Sequence, residues 1–307
     1  MKNNKKVIIT GGGGGIGREL ANYLVDFSYL DITILDNNVK GSMDKRINVV
    51  GCDLAVEEIS PEIEKIFYDS DYIFHLACIK PSERGTTKEE FLKNIKMTKN
   101  VAKFNKKSKI IYTSAGTIYG ICDKFPIKED EEVKCGITDW YCRGKLESEN
   151  ILREYSKKNK WKLVLLRITN VYGIDFRRNG EILSNFFESI IDDKSLDIYG
   201  SGKQKRDRIF IDDLVRALVF SLRDDIVGIF NIGSGKSYST LKVAKMIGKI
   251  LKRKYKIEFL DSENNGRKDN LLDIKKAKSI LKFKPIVSFK KGLEVVINNW
   301  ENERRNK

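Results

Sequence analysis

KVIITGGGGGIGRELANYLV, residues 6–25, runs from a short β-branched apolar segment through five consecutive glycines into a pattern suited to a helix. Within it Gly11, Gly14 and Gly17 have G-x-x-G-x-x-G spacing. A glycine has no Cβ, so a strand can turn sharply there and its backbone can come close to a pyrophosphate. The free N–H groups at the start of the following helix attract the same anion. A glycine run alone could be a flexible loop; its place between strand and helix predicts a phosphate cradle, with Gly15 and Ile16 offering their amides.

Outward from that turn, residues 31–35 read as a second strand ending at Asp36. In a dinucleotide fold the carboxylate there accepts the hydroxyls of the adenosine ribose. A 2′-phosphate would meet like charge, so Asp36 favours NAD over NADP. The competing reading is a turn-forming aspartate in Asp36-Asn37-Asn38. Further strands are predicted at residues 48–51, 72–76, 109–113 and 162–167, alternating with amphipathic segments, one of them a helix over 140–158. That alternation predicts a doubly wound α/β fold with a parallel sheet. After Gly173 the pattern changes to helices over 181–192, 212–223, 240–254, 274–281 and 290–299 with isolated strands between them. Residues 1–173 are expected to form the cofactor-binding domain and 174–307 mostly a smaller substrate lobe, part of it returning to the first. The absence of a repeat or proline-rich linker suggests a compact chain with its ligand between the parts.

With 307 residues the chain is long enough for an enzyme, and no apolar run approaches the roughly 20 residues of a membrane span. The basic start MKNNKK is followed by only Val7, Ile8 and Ile9 before the glycines, which reads as a first strand rather than a secretion signal. The net charge of +15 comes from lysines scattered along the chain, without a basic block interleaved with aromatics, so neither nucleic acid nor membrane is expected as a partner. Five cysteines, none at C-x-x-C spacing, indicate neither zinc nor a disulfide framework and suit a reducing cytoplasm; no metal is expected.

Tyr141-Cys142-Arg143-Gly144-Lys145 places a phenol and an ammonium four residues apart, on one face of a helix. A tyrosine is a poor base at neutral pH, and a nearby cation stabilises its phenolate. His75, the single histidine, sits at a strand end, where a structural role near the cofactor is expected.

Taken together these residues resemble the extended short-chain dehydrogenase/reductases, the NAD-dependent epimerase/dehydratase family that includes UDP-glucose 4-epimerases. The resemblance covers almost the whole chain: TGGGGGIG, the Asp36 strand end, GCDL, FHLAC, the Asn94 segment, YTSAGTIYG, YCRGK, LRITNVYG, the YGSGKQKRDRIFIDD stretch, FNIGSG and the Arg267 segment. It implies a Rossmann-type fold binding NAD, with Asp53 and Leu54 at the adenine and Leu76, Ala77 and Asn94 along the cofactor. Tyr141 would be the base and Lys145 its partner. Asn170 and Arg206 would hold the phosphates of a nucleotide sugar, Arg267 would also be a substrate-binding residue, and a homodimer is implied.

One departure matters. The family's hydroxyl four residues before the tyrosine of V-Y-G falls on Ala115, so Thr117 is the expected substitute and Ser114 the second choice. Thr117 also stands where family dehydratases carry an acid, which disfavours water loss. The resemblance therefore points to a 4-epimerase of a UDP-hexose, with a C4 dehydrogenase or reductase as the alternative. A catalytically silent NAD-binding regulator is the reading from another class.

Overall fold

The structure, a computed structural model, describes residues 4–81, 85–137, 139–173, 182–261 and 269–305. The strands are β1 (Lys5–Thr10), β2 (Leu30–Asp36), β3 (Asn48–Gly51), β4 (Tyr72–His75), β5 (Lys109–Ala115), β6 (Leu163–Ile168), β7 (Asn170–Tyr172), β8 (Leu196–Tyr199), β9 (Lys205–Phe210), β10 (Gly228–Ile232), β11 (Ser237–Ser239) and β12 (Ile257–Leu260). The helices are α1 (Gly15–Leu24), α2 (Pro61–Asp69), α3 (Lys88–Phe104), α4 (Trp140–Asn159), α5 (Ile182–Ile191), α6 (Ile211–Phe220), α7 (Thr240–Leu251) and α8 (Phe289–Arg305). A 3-10 turn occupies Gly116–Tyr119 and a π turn Ala277–Leu281.

Seven strands form one parallel sheet in the order β10-β6-β5-β4-β1-β2-β3, a doubly wound Rossmann-type arrangement. Every residue of β5 and β6 is buried, as strands covered on both faces require. Leu20, Ala21 and Leu24 of α1 and Leu214 and Leu218 of α6 belong to one core cluster, whereas Ile63 of α2, Val101 of α3 and Leu152 of α4 belong to another. The helices start where their sequences can answer the free amides of a first turn. Ser60 caps α2 ahead of Pro61, Thr87 and Glu90 form a capping box on α3, and Asp139 caps α4.

β9 pairs with both β7 and β11 in a smaller sheet, and β8 pairs with β12. β10 pairs with β6 and is the edge strand of the large sheet on that side. Its Asn231 takes a hydrogen bond from the Tyr119 hydroxyl at 2.7 Å and donates to the Ile127 carbonyl at 2.9 Å. Below it, Arg167 forks onto both oxygens of Glu149 at 3.1 and 2.9 Å, fastening β6 to α4 in a fully buried ion pair.

Two differences from the sequence reading have local causes. The helix read over 240–254 stops at Leu251 because Lys252 adopts a left-handed conformation, φ 54°, and caps it. Cysteine spacing pointed to no disulfide, yet Cys135 and Cys142 are bonded, their Cα atoms 5.6 Å apart. The loop before α4 brings them together, which no short motif records.

Candidate active site

Gly11 leaves β1 with φ +71°, and a Cβ on it would lie 2.6 Å from the Ala77 nitrogen. A Cβ on Gly17 would lie 2.5 Å from the Gly11 carbonyl oxygen. These contacts fix the glycine spacing: the turn doubles back on itself, with the Gly14 amide donating to the Gly11 carbonyl at 3.1 Å, and presses against the end of β4. Gly14 offers no side-chain acceptor to α1 and the first turn contains no acid, so the leading amides of Gly15, Ile16 and Gly17 have no carbonyl within the helix.

Asp36 lies beside this turn, half-buried at the end of β2. One carboxylate oxygen accepts from the Gly13 amide at 2.9 Å and the other from the Asn38 amide at 2.8 Å. The turn-forming role of Asp36 is therefore present, and so is a carboxylate held next to the glycines with lone pairs to spare. A glycine turn without Cβ atoms, an uncapped helix start and an adjacent carboxylate are the parts an adenine dinucleotide needs, so these residues fit NAD. Asp53 is exposed and accepts from the Ala55 amide at 2.8 Å, while Leu54 is buried beside it. Leu76 continues the ladder past β4, its amide donating to the Thr10 carbonyl at 3.1 Å.

Beyond the turn, Ala77, Asn94, Tyr141 and Lys145 line one cleft together with Cys78, Thr98, Tyr112, Gly144 and Ser148. Asn94 is spent on the peptide of Ile79, accepting from its amide at 2.7 Å and donating to its carbonyl at 3.1 Å, and so fixes the cleft wall. Lys145 is buried and donates to the Thr113 carbonyl at 2.8 Å, with its ammonium 5.0 Å from the Tyr112 ring centre and 5.9 Å from that of Tyr141. Burial opposes the charge, but Cys78, Tyr112 and Tyr141 beside it more than compensate and hold the ammonium above the usual lysine range. Burial raises the Tyr141 phenol, with Lys145 pulling it back, and burial pushes Tyr112 up to about 12. Tyr141 is thus held as a phenol at neutral pH.

Behind the cleft His75 is fully buried, bonded to the Thr10 hydroxyl at 2.8 Å and to the Thr98 hydroxyl at 3.1 Å; Thr98 in turn meets Ser148 at 2.9 Å. Burial, reinforced by the Lys145 charge, lowers its pKa to about 3, so the ring is a neutral strut joining β1, β4, α3 and α4.

The two substitutes for the hydroxyl absent at Ala115 have different settings. Thr117 is exposed on the 3-10 turn. Ser114, near the end of β5, is buried and its hydroxyl has no hydrogen-bond partner. Strand alternation puts it on the same face as Tyr112, a wall of the cleft. Asn170 and Arg206 lie on the smaller sheet, outside the cleft lining: Asn170 is exposed and in register with Arg208, and Arg206 donates to the Lys205 carbonyl at 3.2 Å. Arg267 lies outside the described residues. Cys78, Tyr112 and Ser148 carried no role in the sequence reading. The i, i+3 step from Lys145 to Ser148 and the i, i+2 step from Tyr112 to Ser114 are the signals that place two of them on the faces already chosen. No group of three or more metal-ligating side chains occurs among the described residues, and no described helix is long and apolar enough to cross a membrane.

The model of the NAD dependent epimerase/dehydratase family matches residues 7–233. The chain belongs to that family. A UDP-N-acetylglucosamine 4-epimerase from Methanobrevibacter ruminantium M1, solved with UDP-N-acetylmuramic acid, is similar at 26% identity and TM-score 0.87 over 98% of this chain and 99% of that one. A UDP-glucuronic acid 4-epimerase from Bacillus cereus, solved with UDP-glucuronic acid and NAD, is similar at 27% identity and TM-score 0.85 over 97% and 99%. UDP-glucuronic acid decarboxylase 4 of Arabidopsis thaliana is 29% identical over 78% of this family member and 56% of its own length. The chain spans 55–64% of the length of Arabidopsis decarboxylases 4, 1 and 2, and 88–89% of decarboxylases 6 and 5.

Proposed function

We propose that the protein is an NAD-dependent nucleotide-sugar 4-epimerase acting on a UDP-hexose. The observation that carries this reading is the Tyr141–Lys145 pair, held on one face of α4 in a cleft adjoining the glycine turn. Likeness to two 4-epimerases along nearly the full chain supports it.

In this reading residues 1–173, with β10, hold the cofactor and residues 174–307 supply most of the sugar-nucleotide site. Bound NAD would accept hydride from C4 of the sugar and return it to the opposite face. Tyr141 takes the proton of the C4 hydroxyl and gives it back after the 4-keto sugar has turned over, while Lys145 stabilises the phenolate between the two steps. Ser114 offers its unpartnered hydroxyl to the reacting oxygen. Asn170 and Arg206 hold the diphosphate, the latter through the forked donors of a guanidinium. The enzyme works in the cytoplasm as a homodimer.

Thr117, standing where an acid is needed for water loss, weighs against a dehydratase. The curated decarboxylase relatives supply a second reading, loss of the C6 carboxyl from a UDP-uronate through the same 4-keto stage. Incubation with UDP-hexoses and UDP-uronates, followed by mass spectrometry and NMR, separates the two. A stereoisomer of unchanged mass, with no net absorbance change of the cofactor, is the expected product. Loss of carbon dioxide or net cofactor reduction would replace the epimerase assignment.

A further inference from the structure

We propose that Cys135–Cys142 is a thiol–disulfide exchange site that sets the mobility of the segment bearing Tyr141; the kinetic arm of its test rests on the epimerase reading. The bond joins the loop before α4 to the first turn of that helix, and Tyr141 lies inside the ring it closes, next to one of its ends. That ring also contains Asp139, whose carboxylate accepts the Cys142 amide at 2.9 Å and starts the helix. A covalent tie at this point restrains the backbone that aims the phenol.

The two sulfurs differ in the ways exchange chemistry uses. Cys135 is half-buried and can be reached from solvent, whereas Cys142 is buried in the first turn of α4. A helix N-terminus stabilises a thiolate, which makes Cys142 the better leaving group. One thiolate of a dithiol reductant attacks the Cys135 sulfur, the S–S bond breaks, and its electron pair leaves on Cys142, which takes a proton. The reductant's second thiol then displaces the Cys135 sulfur, which is protonated in turn. The protein disulfide is reduced by two electrons and the dithiol is oxidised to its cyclic disulfide.

The dithiol form is also accommodated. The Cys142 sulfur lies 3.5 Å from the Thr117 carbonyl oxygen and the Cys135 sulfur 3.9 Å from that of Ile118, so each thiol gained finds an acceptor in the 3-10 turn. Those carbonyls already accept the amides of Gly120 and Lys134, so the turn keeps its shape in both states. What changes is the tether itself.

The test equilibrates the full-length protein with glutathione disulfide or with dithiothreitol and reads alkylated thiols, hydrogen exchange and turnover. Cys52, Cys78 and Cys122 are free, so the oxidised form should alkylate at three cysteines and the reduced form at all five. Reduction should speed amide exchange in peptides covering residues 139–145 by about tenfold and lower kcat several-fold. Cys135→Ser should match the reduced protein in both readouts and ignore the reductant. Five thiols under oxidant, or unchanged exchange despite the change in thiol count, overturns the proposal. So does a Cys135→Ser variant that still responds, because the responsive sulfur would then lie elsewhere. If exchange responds but no sugar nucleotide turns over, the tether stands and the epimerase reading falls.

Discussion

The Lys145 ammonium is fastened to the Thr113 carbonyl at 2.8 Å, so the charge beside Tyr141 is anchored to β5 as well as to its own helix. A cation held at two points in this way has a fixed relation to the phenol. Because burial raises the Tyr141 pKa, the deprotonated form is scarce at neutral pH, and kcat/KM should climb through neutrality and still be rising near the ordinary tyrosine value of about 10. Lys145→Met removes the stabilising charge and should move that limb to higher pH. Tyr141→Phe should abolish turnover while nucleotide-sugar binding, followed by calorimetry, persists.

Ser114 and Thr117 make opposite predictions for the hydroxyl that Ala115 lacks. Ser114→Ala should lower kcat by about tenfold to a thousandfold, the range for one positioned donor. Thr117→Val, at an exposed position, should have the smaller effect. Steady-state kinetics on both variants decides, and the reverse order would return the role to Thr117.

Asp36 should set cofactor preference, with NAD bound at least about tenfold more tightly than NADP, about 1.4 kcal/mol. In Asp36→Ala the preference should shrink and NAD affinity should fall, partly because the Gly13 amide loses its acceptor. Fluorescence titration with both dinucleotides measures this.

His75 should register in acid stability. Its pKa is about 3 in the folded protein and about 6.5 when unfolded, so the unfolded chain binds the proton first as pH falls. Stability should therefore decline from about pH 6.5 towards about pH 3. In His75→Gln that slope should be shallower, as thermal melts across this range would record.

Asp207 has the opposite sign. Burial raises it to about 6, although Ser234 donates to one oxygen from both its amide, at 2.9 Å, and its hydroxyl, at 2.6 Å. The folded state keeps the proton longer than the unfolded chain, so its contribution is full below about pH 3.8 and is lost as pH rises through about 6. Asp207→Asn should thus gain more in melting temperature at about pH 8 than at about pH 5.

The glycine spacing, the strand alternation and the Tyr141–Lys145 step were legible because each is local: a close backbone approach, a buried strand or one helical turn suffices to explain them. The buried ties between elements were not. His75 reads as a strand-end residue, but Thr98 and Ser148, which complete its polar chain, come from α3 and α4. Arg167 and Glu149 meet only because α4 packs over β6, and neither residue's neighbours in the chain announce it. The end of α7 was missed because a left-handed lysine has no distinctive composition.

The position of β10 has a consequence for how the chain is made. The other six strands of the large sheet are complete by Ile168, but β6 remains an open edge until Gly228–Ile232 has been synthesised. Until β10 has emerged as well, a fully buried strand of the mature protein, VLLRI at its heart, lacks its partner along that edge. A growing chain arrested in that interval should be the species most prone to edge-to-edge association, and release from the risk comes when Asn231 arrives to bond Tyr119 and Ile127.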